Sequence, residues 1–339
     1  MPPKFTRRAF LAAACLLAGV LAGCAPRALP ARSAVRVGTY NIRSVKAIDK
    51  RERSWNDRRE DLVAVVRSLD CDVLGLQEVT CGQLEFLESR LPEYAFLGEF
   101  RGGSPETSEA SPVCYRKSRF KVLRSGTFWL SETPDEKGSV GWDAKYPRIL
   151  TYAVMKDRAS GRRFTFANCH TDHKGAIARE RGLRLAVERL KGICAGSPAV
   201  FVGDHNCRET DSAALAVSAA MTNALYASET PPRGPWRTFN GWEWRDQEVS
   251  IADALRLPPA LRNSESGSPD GNRTAAGGYV HEDCGARIDY IYVSPGLRVI
   301  DYETRVGFRP RSKHYPSDHF PSVATLDLSA GGLCGAPHQ

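Results

Sequence analysis

Arg163–His170 (RFTFANCH), Ala176–Cys194 (AIARERGLRLAVERLKGIC) and Ala199–Asn206 (AVFVGDHN) lie one after another in the chain and set its fold class. The first and third are short apolar runs ending in polar residues, as expected of strands with buried middles. The stretch between them places Ile177, Leu183, Leu185, Val187, Leu190 and Ile193 mainly along one side of a helix. Strand, amphipathic helix and strand in immediate succession are an α/β signature.

On the N-terminal side, VRVGTYNI (35–42) reads as a strand, Arg59–Leu69 as a helix and Asp72–Val79 as a second strand. YAFLGEF (94–100), VCYR (113–116), GTFWLS (126–131) and ILTYAVMKD (149–157) add strands in succession, with Ser160-Gly161 as a turn. RIDYIYV (287–293), Val299–Val306 and PSVATLDL (321–328) supply the last strands. Pro231–Gly278, rich in Gly, Pro, Ser and Trp, reads as long loops. So many strands with two long helices favour a two-sheet core with outer helices over a regular βαβ array. The 339 residues, 42% hydrophobic and 25% charged, suffice for one large domain with a full core. That domain is expected over 34–328, with an irregular tail over 329–339.

Residues 1–23, MPPKFTRRAFLAAACLLAGVLAG, have a basic start, an apolar run and small residues before Cys24, the layout of a secretory signal. Leu21-Ala22-Gly23-Cys24 resembles a bacterial lipobox, and Thr6–Leu11 (TRRAFL) resembles a twin-arginine export signal. These resemblances imply cleavage before Cys24, acylation of its thiol, and a tether over 24–33. The protein is then expected to be lipid-anchored on the extracytoplasmic side, periplasm or outer membrane, without spanning the bilayer. Losing Lys4, Arg7 and Arg8 with no acid takes the net charge from +8 to +5, a balance compatible with phosphate-rich substrates. The cysteines beyond Cys24 leave any disulfide pattern open, and no C-x-x-C pair suggests zinc.

Polar clusters stand at the ends of the predicted strands: Tyr40-Asn41, Gln77-Glu78, His170–His173, Gly203–Asn206, Arg287–Asp289 and Ser317–His319. They offer the carboxylates Glu78, Asp204, Asp289 and Asp318, the amides Asn41 and Asn206, and the imidazoles His170 and His319. Oxygen donors without thiolates suit a hard ion such as Mg²⁺ or Mn²⁺. Metal-assisted phosphoryl hydrolysis uses such a set.

Thr39–Ile42 (TYNI), Gly75–Val79 (GLQEV), Asn168–His173 (NCHTDH), Gly203–Asn206 (GDHN), Arg287–Tyr290 (RIDY) and Ser317–Pro321 (SDHFP) occur in the order of the endonuclease/exonuclease/phosphatase superfamily motifs. Ser125–Asp135, Gly141–Asp143 and Pro147-Arg148 look like a bacterial secreted branch of that superfamily. The resemblance implies a four-layer α/β/β/α sandwich, two mixed β-sheets packed face to face with outer helices. It implies that Glu78, with Asn41 beside it and Asp318 nearby, binds Mg²⁺ or Mn²⁺. Asp204 and Asn206 would orient the attacking water and hold the phosphate, His319 would pair with Asp289, and His170 would face the scissile phosphate. Arg148 and Arg179 are further candidates for phosphate contacts, while His173 and His205 stay outside the core set. Cys169 and Thr171 depart from the family pattern, which puts a standard packing around the site in question.

The substrate class, whether nucleic acid, sugar phosphate or inositol phosphate, stays open in the sequence, as does nuclease against phosphatase. Cys284–Arg287 replaces the motif of inositol polyphosphate 5-phosphatases, and abasic-site endonucleases usually carry Tyr where His170 stands. Trp236, Phe239, Trp242 and Trp244, interleaved with Arg233, Arg237 and Arg245, read either as a stacking rim for bases or sugars or as packing for a loose loop. A metal-dependent phosphoesterase, monomeric apart from its membrane anchor, is the expectation. A catalytically inactive lipoprotein binding a phosphorylated ligand is the alternative.

Overall fold

In the computed structural model, which describes residues 34–46, 48–102, 104–245, 247–262, 285–306 and 314–329, the strands sort into two six-stranded sheets and one small ribbon. The signal, Cys24, the tether, Cys284 and residues 330–339 of the tail lie outside the described residues. Among those described, no helix is long and apolar enough to cross a membrane.

In chain order the strands are β1 Ala34–Asn41, β2 Val73–Gln77, β3 Val79–Thr80, β4 Tyr94–Leu97, β5 Glu109–Ala110, β6 Val113–Arg116 and β7 Phe120–Trp129. They continue as β8 Ile149–Asp157, β9 Arg163–His170, β10 Ala199–Asp204, β11 Thr222–Asn223, β12 Asp289–Val293, β13 Arg298–Thr304 and β14 Ser322–Asp327. One sheet runs β13-β14-β1-β2-β6-β4, the other β11-β12-β10-β9-β8-β7, and β3 pairs with β5. Both sheets are mixed: β1–β2 and β9–β10 are parallel, whereas β1–β14 and β10–β12 are antiparallel.

Alternation along the strands builds the layers. Val35, Val37, Val73, Phe164, Phe166, Val200, Val202, Ile291, Val293, Ala324 and Leu326 point inward and form the core between the sheets. Residues of the opposite parity, Tyr40, Leu74, Leu76 and Val323, meet the helix α1 Trp55–Leu69 and Leu87 of the helix α2 Cys81–Arg90. On the other outer face Ala167, Cys169, Phe201, Tyr290 and Tyr292 meet α3 Ala176–Cys194 and α4 Ser212–Ser218. The result is the expected four-layer sandwich. Each large apolar side chain so buried contributes roughly 1.5–3 kcal/mol before chain entropy is charged against it.

Several elements differ from the sequence reading. Helix α1 starts at Trp55, four residues earlier than predicted, because Ser54 caps it and accepts from Asp57 N. Helix α2 was not predicted; it carries few periodic apolar residues, and its start is fixed by Gln83 Oε1 accepting from Thr80 N at 3.1 Å. The strand expected over Asp72–Val79 breaks at Glu78, whose φ of 61° is left-handed. Cys71, Cys114, Cys169 and Cys207 are buried free thiols, and burial pushes Cys71 up to about 12. Of the aromatic run, Trp236 is wholly buried in the core, Trp244 stacks on Tyr315, and Phe239 alone lines the cavity described below. The loop-packing reading therefore accounts for most of that run.

Candidate active site

The face that is apolar in the middle of each strand turns polar at one end of the sandwich. Asn41 and Gln77 continue the inward parity of β1 and β2, and the pairing Asn41↔Gln77 sets them side by side. In the facing sheet the pairings Asp204↔His170 and Asp204↔Asp289 put three predicted site residues in one row across β9, β10 and β12. Just below this row the sheets are pinned together: Gln77 Nε2 donates to Asn168 Oδ1 at 2.6 Å, and Asn168 Nδ2 donates to Leu76 O at 2.7 Å and Pro112 O at 2.9 Å. Only glycine fits at position 75 there, since a Cβ would come within 2.7 Å of Asn168.

The loop before β14 brings His319 to the row, with Nδ1 2.9 Å from Asp289 Oδ2 and Nε2 3.7 Å from Asp204 Oδ2. Asp289 is itself positioned by Thr238 Oγ1, which accepts from the N–H of Ile288 and of Asp289 at 3.0 Å each. Burial opposes charge on His319, but the neighbouring Asp289 and Asp204 carboxylates outweigh it and raise its pKa to about 10. His170 goes the other way: burial and the Arg148 guanidinium lower its pKa well below the usual histidine range. Asn206 Nδ2 lies 2.9 Å from His170 Nε2 and also donates to Thr171 O at 3.1 Å. That places the proton of the neutral imidazole on Nδ1. The site thus holds one charged and one neutral histidine.

Asp204 accepts from Asn41 Nδ2 and from Asn206 N, each at 2.9 Å. Burial and the nearby Asp289 charge raise its pKa to about 7. Glu78 accepts from Ser44 N and Ser44 Oγ at 2.9 Å and from Asn41 Nδ2 at 3.2 Å. Burial alone would raise the Glu78 carboxyl; the histidines and the Ser44 and Asn41 donors bring it well below the usual carboxylate range. Because His170 is neutral, charged His319 and the Ser44 donors keep Glu78 ionised. Asp318 pairs with Arg43 at 3.3 Å and is raised by burial. Arg43, Glu78 and Asn206, which line this cleft, have left-handed φ values of 56°, 61° and 46°.

Of these, Arg43, Glu78, His170, Asp204, Asn206, Asp318 and His319 line a cavity of about 570 Å³. The model of the Endonuclease/Exonuclease/phosphatase family matches residues 38–319, from β1 to His319. The chain belongs to this family. Its members are phosphoester hydrolases. An endonuclease/exonuclease/phosphatase from Bacteroides vulgatus is 30% identical, with a TM-score of 0.70 and coverage of 87% of this chain and 99% of that one. The mannosyl-6-phosphatase of Bacteroides thetaiotaomicron is 29% identical, also at 0.70, over 86% of this chain and 99% of that one. D. rerio TDP2 complexed with single strand DNA product shares the fold at 19% identity and a TM-score of 0.59, over 87% and 99% of the two chains. Among curated sequences, an uncharacterized protein of Acanthamoeba polyphaga mimivirus matches at 24% identity over 204 residues, 50% of this chain and 30% of that protein.

In this endonuclease/exonuclease/phosphatase domain the cluster Glu78, Asp204, Asp289 and Asp318 concentrates carboxylates in one cleft, and the raised pKa values of Asp204 and Asp318 reflect that crowding and burial. An all-oxygen donor set of this kind fits a hard dication. Asp204, Asp289 and His319 also bring ligand atoms within 4.8 Å of one another. The His319 Nδ1–Asp289 Oδ2 hydrogen bond, however, commits two of those groups to each other. Asn41 differs from the expectation of a metal-binding amide: it turns its N–H toward Glu78 and Asp204, while its Oδ1 accepts from Arg43 N at 3.0 Å.

The remaining predicted residues separate clearly. Arg148 is buried and lines the cavity, with Nε on Asp172 at 3.2 Å, Nη2 3.0 Å from His173 Nδ1, and Nη1 buried without a protein partner. Asp172, which positions it, is brought to about 2: burial raises it, and the Gly175 and Lys174 N–H donors and Arg148 outweigh that. Arg179 is not among the cavity-lining residues; its Nη1 donates to Asp172 O at 3.0 Å. His173 stacks on Tyr146 at the cavity, whereas His205 points into the helix-side core between Phe201 and Tyr292. Cys169 likewise faces the helices, so that departure from the family pattern does not touch the cleft. Lys46, Arg101, Glu109 and Tyr146 line the cavity and were missed, because they sit in loops and in a two-residue strand where no periodicity marks them.

Proposed function

We propose that the chain is a divalent-metal-dependent phosphoester hydrolase that works outside the cytoplasm from a lipid anchor on Cys24. The observation that carries the catalytic part is the Asp289–His319 pair standing in one row with Asp204 and His170 above a carboxylate cluster. Glu78 and Asp318 are the groups that would hold Mg²⁺ or Mn²⁺, with Asn41 orienting Glu78. A bound dication supplies positive charge against the phosphate and the leaving oxygen.

The chain's own residues then divide the remaining work. Charged His319, fixed by Asp289, donates from Nε2 to a phosphate oxygen. Asp204, near neutrality in pKa, is suited to orient a water and accept its proton at Oδ2. Neutral His170 and Asn206, tied to each other through Nε2 and Nδ2, form the wall that faces the phosphate, and the Arg148 guanidinium lining the same cavity adds positive charge beside them. Phe239, edge-on to His319 at 5.1 Å, shields that imidazole from water. These donors are in place before substrate arrives, the arrangement expected to contribute most of the rate.

Likeness to a mannosyl-6-phosphatase at 29% identity supports a phosphomonoester substrate. The test is hydrolysis of an aryl phosphomonoester and an aryl phosphodiester with Mg²⁺ or Mn²⁺, before and after His319→Ala. A loss of roughly 10²–10⁴-fold in the variant is expected. No turnover of either ester by metal-loaded protein would count for the binding-lipoprotein alternative. The anchor is tested separately: Cys24→Ala should move the protein from the membrane to the soluble fraction.

A further inference from the structure

We propose that Glu109, clamped between Lys46 and Arg101 beside the ring of Tyr146, forms a leaving-group subsite that selects a polyhydroxylated ring, making the substrate a compact sugar phosphate. This rests on the phosphoester-hydrolase reading above. Glu109 Oε1 lies 3.0 Å from Lys46 Nζ, and Oε2 lies 3.0 Å from Arg101 Nη2. Its backbone is fixed in two directions: Glu109 pairs with Thr80 in the β3–β5 ribbon next to Glu78, and Glu109 O accepts from Arg101 N at 2.9 Å. The carboxylate is therefore held at a set distance from the metal-binding end of the cleft. All four side chains line the same cavity as His170 and His319.

The charge pattern separates sugar from nucleic acid. A polynucleotide groove needs cations left uncompensated along the track of the backbone, since each neutralised phosphate supplies part of the affinity. Here the rim cations are tied in ion pairs rather than set in a free row: Lys46 and Arg101 share the Glu109 carboxylate, and Arg43 lies 3.1 Å from Asp49 and 3.3 Å from Asp318. A carboxylate with one lone pair per oxygen engaged still accepts hydrogen bonds, while the ammonium and guanidinium beside it still donate. Acceptor and donors alternating within 3 Å complement adjacent hydroxyls, each of which is both donor and acceptor. Tyr146, stacked on His173 with the Arg101 guanidinium 5.3 Å and the Lys145 ammonium 5.2 Å from its centroid, is 39% exposed and walls the cavity beside Glu109 with its exposed edge. A cavity of about 570 Å³ is the size of a small-molecule site.

The experiment compares kcat/KM for glucose 6-phosphate, an aryl phosphate and a single-stranded oligonucleotide in wild type, Glu109→Gln and Tyr146→Ala. Glu109→Gln should lower the sugar-phosphate to aryl-phosphate ratio by roughly 10- to 100-fold, the loss expected for a charged hydrogen-bond acceptor. An unchanged ratio in both variants, or oligonucleotide cleavage that outpaces glucose 6-phosphate in wild type, overturns the proposal. Calorimetric binding of glucose 6-phosphate to the His319→Ala protein gives a readout independent of turnover. Weaker binding after adding Glu109→Gln supports the subsite, and an unchanged Kd overturns it. Sugar-phosphate binding that depends on Glu109 without turnover of any ester would leave the subsite standing and sink the hydrolase reading.

Discussion

His319 Nδ1 sits 2.9 Å from Asp289 Oδ2, and Asp289 is the first residue of a strand paired through Asp204 to the strand that carries His170. The histidine comes from a loop, but the carboxylate that orients it is bolted into the sheet. Asp289→Asn keeps the shape and removes the charge that fixes the imidazole tautomer. A fall in kcat of about 10²–10⁴-fold with KM little changed is expected. Steady-state kinetics beside a melting curve would check it; a variant that melts like wild type and keeps its kcat would remove Asp289 from the mechanism.

Glu78 is the carboxylate held by the end of β1 and the loop after it, accepting from Asn41 and Ser44. Glu78→Gln retains acceptor geometry on one oxygen but loses the charge a dication needs. Wild type should gain melting temperature with added Mn²⁺ or Mg²⁺ and lose the gain with chelator, because a ligand of the native state stabilises it by mass action. The variant should show no such gain, with activity down by about 100-fold or more. A metal-dependent rise of equal size in Glu78→Gln would place the ion elsewhere.

Much of this site was legible because strand parity is legible. Once Val200 and Val202 face inward, Asp204 must follow them, and Phe164 and Phe166 carry His170 to the same cleft. Strands β8 and β9 and helix α3 end at the residues their patterns predict. What could not be read was set by contacts distant in sequence. The amide orientation of Asn41 depends on Asp204, 163 residues away. The Lys46–Glu109–Arg101 clamp joins three loop or edge positions with no shared period. Helix α2 has too few apolar residues to show a stripe, so only its Thr80–Gln83 cap carried a signal.

His205 gives a stability prediction that depends on pH. Its ring is wholly buried, 5.0 Å from Phe201, 5.5 Å from Tyr290 and 5.7 Å from Tyr292, and neither nitrogen has a hydrogen-bond partner. Burial lowers its pKa from 6.5 to about 3. Between those values the unfolded chain binds a proton that the folded protein refuses, so stability is full above pH 6.5 and is lost as pH falls toward 3. From pH 7 to pH 5 the loss from this residue is about 2 kcal/mol. His205→Phe, which suits an aromatic slot, should be at least as stable at pH 7 and should widen its advantage by about that amount at pH 5. Urea midpoints at the two pH values measure this; parallel curves for the two proteins would show that His205 is not the titrating group.

Gly203 tests whether the row of site residues tolerates any movement of its strand. At φ 150° an added Cβ would lie 2.0 Å from Cys169 O, a backbone atom of the paired strand that has no rotamer to change. Gly203↔Cys169 is the pair directly beneath Asp204↔His170. Relief of the clash must therefore open β10 from β9 at the level where the carboxylate and imidazole meet. Gly203→Ala is expected to cost about 3 kcal/mol in overpacking and to lower kcat by more than the same loss of stability does elsewhere in the fold. Chemical denaturation gives the first quantity and turnover at a temperature where the variant is folded gives the second. A destabilised variant with full activity would mean that the 3.5 Å spacing between His170 Nε2 and Asp204 Oδ2 is not what the reaction depends on.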